Sequence, residues 1–331
     1  MLFIEPKSFD PAFHFAAEEY CMQHFNINTS IWMLWRTNNC IMLGSNQIPG
    51  LEIDMPSAIR HGIQLVRRPS GGGTIFTDPG TIQYTVILPF QPEMDVKQVE
   101  REVLAATMLK VINQKLGLPA KLEGRNDITL HGRKISGMAQ HVQYGRLCGH
   151  GSLLYDTNLD ILTQVLNPGE DKIKAKSIRS VRSRVTSLRS HIATPLTTDD
   201  FFSYLKQEWI TEHRMEEYEF TAEDIARIDE IRLAKYANDD WTYGKTPKFS
   251  FHNRVKYEMG ILEVFLSIEK GMIDDCSIKG DFLSVLPIAP LQEQITGQPY
   301  RREVLHDALE NVNLSPYLGG ITREQLLDTL F

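Results

Sequence analysis

The chain has 331 residues, 42% hydrophobic and 23% charged, and its 35 basic against 42 acidic side chains leave a formal charge of −7. This is a globular composition with length enough for two domains, and the acidic balance argues against a general nucleic-acid or membrane-surface binder. No apolar run reaches the roughly 18 residues of a membrane span, MLFIEPKSFDPAF has no leader-peptide pattern, and Cys21, Cys40, Cys148 and Cys276 form no CxxC pair or disulfide framework. A cytoplasmic protein is expected.

From Ser8 to Phe25 apolar residues recur at helical spacing, with Glu18 and Glu19 on the opposite side, which predicts an amphipathic helix. Strands are predicted over 31–36, 40–44, 63–68, 74–78 and 81–90, separated by Gly, Pro and Asn breaks. A helix follows over 94–116, stopped by Gly117 and Pro119. Residues 127–156 predict three strands turning at His131-Gly132 and Tyr144-Gly145, and 159–166 a short helix. Helices over 198–215 and 221–236 lead to WTYGKTPKF (241–249), an aromatic and proline connection. Beyond it, 256–281 alternates like a β-meander, and two helices at 300–311 and 322–330 close the chain. The pattern is α/β (α+β): a large mixed-sheet domain over 1–245 and a small α+β domain over 246–331. Its connections are too irregular for repeated βαβ units.

The segment VRRPSGGGTIFTD (66–78) is the most informative. Consecutive glycines let backbone N–H groups converge on an anion, and two guanidiniums beside them suit phosphate. The bland alternative is a tight hairpin with surface arginines. The Gly-Lys-Ser/Thr of a Walker loop and the GxGxxG of a dinucleotide fold are both missing.

This segment resembles the RRxSGGGxVxHD signature of lipoate–protein ligases. FHFAAEEY (13–20), LWRTNNCIMLGSNQ (34–47), GRNDI (124–128), GRKISGMAQ (132–140), HGSLL (150–154), SVRSRVTSL (180–188), WTYGKTP (241–247) and IKGDFL (278–283) match further blocks of that family in order. The resemblance implies a fold of the biotin/lipoate ligase type, the last two blocks belonging to an accessory domain. It implies ATP-dependent formation of lipoyl-AMP, then transfer to a lysine of a lipoyl acceptor domain, from a 2-oxoacid dehydrogenase E2 or the glycine-cleavage H protein.

Carried over residue by residue, the resemblance places Arg68 on the nucleotide phosphate and Gly73, Thr74, Ile75 and Phe76 along the nucleotide. Lipoate would pass under Ser70, Gly71, Gly72 and Gly73, with Trp35 lining its tunnel and His150 near its acyl chain. Lys134 would touch both the acyl carbonyl and the phosphate. That position suits a cation, because a carboxylate must approach a phosphate and charge then builds on phosphoryl oxygens. By itself, a lysine next to an arginine on a polar turn is usually a solvated surface residue. Asn126 and Asp127 would orient the nucleotide or help hold Mg²⁺, although an Asx-capped turn explains them equally well.

The stretch 172–190 holds Lys172, Lys174, Lys176, Arg179, Arg182, Arg184 and Arg189 without an acid. Charge alone suggests a nucleic-acid patch, but no aromatics are interleaved for base stacking. The resemblance implies a lid over ATP. The family's His-Asp-x-Gly-Asn after the glycine loop is here Thr77-Asp78-Pro79-Gly80-Thr81, which bears on nucleotide contacts. Two rivals remain: a cysteine-dependent octanoyl or lipoyl transferase, for which Cys148 beside His150 would be the nucleophile, and a non-catalytic lipoate-binding protein. LPAKLEGRND holds no cysteine where such transferases place theirs, and the GRGRxGR-type loop of biotin ligase is missing.

Overall fold

The computed structural model describes residues 1–124, 126–166, 184–194, 196–243, 249–269 and 271–331. Its centre is an eight-stranded sheet of β1 (Leu2–Ile4), β2 (Ile31–Trp35), β6 (Thr81–Pro89), β7 (Ala120–Glu123), β8 (Asp127–Leu130), β9 (Arg133–Gln143), β10 (Arg146–Leu154) and β11 (Glu216–Tyr218). The spatial order is β11-β1-β2-β6-β10-β9-β8-β7, with β1 parallel to both neighbours and the remaining pairs antiparallel.

Every side chain of β2 is buried, which explains its unbroken apolar run IWMLW. Trp32 and Leu34 join one core with Met108, Ile112, Phe201 and Trp209, under the helical run 96–115 and helix Thr198–His213. Ile31, Met33 and Trp35 join the other, under helix Pro11–His24 and helix Ala222–Ile231. The first helix is therefore not amphipathic as expected. Packed between the sheet and the 222–236 helical run, it buries Glu18 and Glu19 as well. Glu19 accepts from Lys235 Nζ at 2.7 Å and Tyr236 Oη at 2.6 Å. The 94–116 helix forms over 96–115 with two π-helical segments.

A second sheet has the order β4-β3-β5, from β3 (Cys40–Leu43), β4 (Gln64–Arg67) and β5 (Ile75–Thr77). β3 lies between the other two, so the chain from β4 to β5 must cross the end of β3. A tight hairpin is ruled out, and residues 68–74 become a crossing that is largely buried, with Gly73 exposed.

The C-terminal part has its own sheet, β12 (Phe251–Tyr257), β13 (Gly260–Glu269) and β14 (Met272–Gly280), the expected meander beginning five residues early. Its core of Leu262, Val264, Leu291, Leu305, Leu318 and Leu326 is separate from the others. Helices Arg302–Ala308 and Arg323–Leu330 stand where two were expected; Ala289–Ile295 and Ser315–Leu318 are additional. No helix among the described residues is long and apolar enough to cross a membrane.

Candidate active site

A cavity of about 790 Å³ opens where the large sheet, the glycine crossing and the C-terminal part meet. Phe15, Trp35 and Met42 line one side, Gly72 to Ile75 another, and Asn126, Asp127 and Lys134 a third.

The glycine crossing is tied down from within. Arg68 is buried and donates from Nε to Ser70 Oγ (3.2 Å), from Nη1 to Met42 O (3.0 Å), and from Nη2 to Gly71 O (2.9 Å) and Gly73 O (2.7 Å). With the loop's carbonyls turned onto this guanidinium, one Nη1 proton is left over among the described residues. Arg67 likewise anchors Gly44, Gln47 and Thr242 through their carbonyls. Gly72 has φ +92°, and a Cβ on Gly71 would lie 2.7 Å from Ser284 N, so side chains are excluded at both.

Ser70 and Gly71 do not line the cavity; they lie behind it. The Ser70 hydroxyl is 2.6 Å from His150 Nε2, and His150 Nδ1 is 3.1 Å from Glu18 Oε2. Glu18 also accepts from Thr85 Oγ1 (2.6 Å), which accepts from Trp35 Nε1 (2.9 Å). The order of groups is that of a nucleophile–base–carboxylate relay. Ser70 is fully buried, however, and a cation donates to its oxygen, so the chain of bonds acts as a pin joining loop, sheet and first helix. Glu18 was missed in sequence because it stands on what reads as the polar side of a helix.

Glu18, Cys148 and His150 bring three donor atoms within 4.8 Å of one another. Both imidazole nitrogens are already engaged, and burial, then the charge of Glu18, pushes the Cys148 thiol well up. A protonated thiol here suits neither a metal nor nucleophilic attack. Cys148 is fully buried and does not line the cavity.

Lys134 enters β9 at a bulge in its pairing with β8. Its Nζ is 2.7 Å from Asp127 Oδ1, both side chains being about one-third exposed (33% and 35%). Asn126 bonds through side chain and backbone to Met138, fixing this turn. The Lys134 carbonyl accepts from Thr186 N at 3.0 Å, so the chain leaving the basic stretch is stitched to β9. Leu188 is buried and Arg189 pairs with Asp156, which makes 184–190 an anchored segment rather than lid. The rest of the expected lid, through residue 183, lies outside the described residues, as does 244–248 of the connection.

Gly73, Thr74 and Ile75 line the cavity, whereas Phe76 turns into the core with Ile41 and Leu43. Thr77 bonds to Thr37 and Cys40, and Asp78 caps its own turn through Gly80 N, Thr81 Oγ1 and Asn158 N. The Thr77 and Thr81 departures therefore lie away from the cavity. Sequence reasoning missed Lys97 and Arg101, one turn apart on the helical run, which line it and form no ion pair among the described residues.

The C-terminal part closes the cavity. Gly72 N donates to Phe282 O (3.1 Å), Val142 N to Val285 O (2.9 Å) and Asn46 Nδ2 to Ser284 Oγ (3.1 Å), and Asp281, Leu283 and Pro316 join the lining.

The family model described as lipoyl protein ligase A/B catalytic domain matches residues 10–210, and bacterial lipoate protein ligase C-terminus matches 246–330. Lipoate-protein ligase LplJ of Bacillus subtilis is 35% identical, covering 100% of both chains. Lipoate–protein ligase 1 of Staphylococcus aureus is 30% identical over 96% of each. Among solved structures, P. falciparum LipL1 in complex with lipoate shares the fold (TM-score 0.77, 22% identity, 99% of this chain and 97% of that one). A bipartite lipoate protein ligase of Thermoplasma acidophilum, studied with its E2 lipoyl domain, has TM-score 0.64 and 25% identity over 76% of this chain and 98% of that one.

Proposed function

The chain belongs to the lipoyl protein ligase A/B family, a family of ligases, and from that premise we propose how its cavity carries out ATP-dependent lipoylation. Lipoate is activated to lipoyl-AMP, and the lipoyl group then passes to a lysine of an acceptor domain. The observation that carries this reading is the position of Lys134, where an apolar wall of Phe15, Trp35 and Met42 and a side-chain-free edge at Gly72–Gly73 share one cavity.

Lipoate's hydrocarbon lies against the apolar wall, Trp35 and His150 included, with its carboxylate toward Lys134. The adenylate lies along Gly73, Thr74 and Ile75, approaching over Gly72 and Gly73, which have no side chains to block it. A carboxylate oxygen attacks the α-phosphorus, the bond to the β-phosphate oxygen breaks, and pyrophosphate leaves. Lys134 offsets the charge that builds on the phosphoryl oxygens. Arg68 shapes the loop and keeps one Nη1 proton for phosphate, while Lys97 and Arg101 offer further cations to the leaving group. Mg²⁺ supplies charge neutralisation when bound to the phosphates, and the Asp127 carboxylate is of the oxygen type it favours. The acceptor amine then attacks the acyl carbonyl, and AMP departs.

Residues 1–245 carry this chemistry and 246–331 form the accessory domain. The Thermoplasma protein's pairing with an E2 lipoyl domain supports an acceptor of that class, with the glycine-cleavage H protein as the other candidate, in the cytoplasm. The buried, protonated Cys148 argues against a thioester route, and the full set of cavity cations argues against a binding-only protein. The test is incubation with lipoate, ATP and Mg²⁺, followed by addition of an isolated lipoyl domain. Pyrophosphate should appear before the acceptor is added, and the acceptor should then gain the lipoyl mass. No pyrophosphate and an unmodified acceptor would refute the proposal.

A further inference from the structure

Five residues stand opposite one another across five neighbouring strands: Trp35 on β2, Gln83 on β6, Ser152 on β10, Gly137 on β9 and Asp127 on β8. Directly opposed residues share one face of a sheet, and all five line the cavity. Lys134 Nζ lies over the fourth, 2.6 Å from where a Gly137 Cβ would be. The row thus runs from the apolar end to the Lys134–Asp127 pair, and Gln83 comes directly after Trp35, two strands before Gly137. At strand spacings of about 4.8 Å, it stands where the apolar part of a ligand gives way to its polar end.

Gln83 is 3% exposed, and its Nε2 has no hydrogen-bond partner among the described residues. A buried donor left unpaired is costly, so the site is built for a partner that the protein itself does not supply. Trp35 and His150 are already engaged, Trp35 with Thr85 and His150 with Ser70 and Glu18.

We propose that Gln83 is a catalytic hydrogen-bond donor, its amide holding the carboxylate oxygen of the acyl substrate that does not attack phosphorus. The assignment rests on the ligase reading and deepens it. A carboxylate has more lone pairs than Lys134 alone satisfies. The oxygen held by Gln83 becomes the carbonyl oxygen of the mixed anhydride. When the acceptor amine attacks, that oxygen takes the negative charge, and the Gln83 amide bonded to it stabilises the tetrahedral intermediate. The charge returns as the bond to AMP breaks.

Gln83→Met keeps the side-chain length and removes the donor. Transfer from presynthesised lipoyl-AMP to a lipoyl domain should fall about a hundredfold, while the thermal midpoint stays level or rises, because an unpaired buried donor is gone. Gln83→Glu donates only while protonated, so its rate relative to wild type should fall as pH rises. Gln83→Met transferring at more than about a third of the wild-type rate would overturn the assignment alone. An inactive wild-type protein would overturn the ligase reading, and this assignment with it.

Discussion

Lys134 and Asp127 meet at 2.7 Å across the bulge between β8 and β9, and Gly137 forms the floor beneath them. The floor decides how the ammonium is presented: a side chain at position 137 would occupy the space of Lys134 Nζ and Cε.

Gly137→Ala should therefore lift Lys134 by about an ångström, and such a displacement costs on the order of a hundredfold in rate. Gly137 has no left-handed backbone geometry, so the protein should remain folded. Adenylation monitored by pyrophosphate release, beside circular dichroism, checks this. An alanine variant with wild-type turnover would mean that Lys134 is not fixed by this floor.

Cys148→Ser should leave ATP-dependent lipoylation unchanged per folded molecule. The thiol is fully buried, held protonated, and behind the cavity wall. Some stability should be lost, since the smaller hydroxyl fills less of the thiol's buried site. Loss of acceptor lipoylation by a fully folded variant would instead support the thioester route.

Glu52 sits near Asp281, at the seam between the catalytic and C-terminal parts. Burial first, then the charge of Asp281, raises its pKa from 4.5 to about 7. The folded protein therefore holds a proton that the unfolded chain releases between about pH 4.5 and 7, and stability falls as pH rises through that window. The stabilisation is complete below the unfolded value and lost above the folded one. Glu52→Gln should remove an effect on the order of 2 kcal/mol. Denaturant midpoints at pH 5 and pH 8 for both proteins measure it; parallel pH dependence would refute the seam's contribution.

Features written in local chemistry were legible in the sequence. His131-Gly132 and Tyr144-Gly145 all take positive φ, as two-residue hairpin turns require. The glycine crossing and Lys134 were marked by motif. What stayed hidden depended on pairing between distant strands. Gln83 reads as one more residue of an apolar strand, and only the β2–β6–β10 register shows it facing the cavity. Glu19 reads as solvated until the 222–236 helical run covers it with Lys235 and Tyr236, and Glu18 until the sheet meets it with Thr85 and His150. The motif pointed Arg68 at a phosphate, but its bonds to Gly71 and Gly73 arise from a loop crossing over β3 that no local pattern specifies. The three-residue strands β1 and β11 are too short to leave a periodic signal.

Lys134→Ala gives the most direct measurement of the central claim. Both partners of the Lys134–Asp127 pair are about one-third exposed, and such pairs contribute at most about 1 kcal/mol, so the variant should fold normally. Pyrophosphate release from lipoate, ATP and Mg²⁺ should drop by about three orders of magnitude, near the cost of removing a single charge-stabilising donor. A folded Lys134→Ala protein that forms lipoyl-AMP at the wild-type rate would contradict the account.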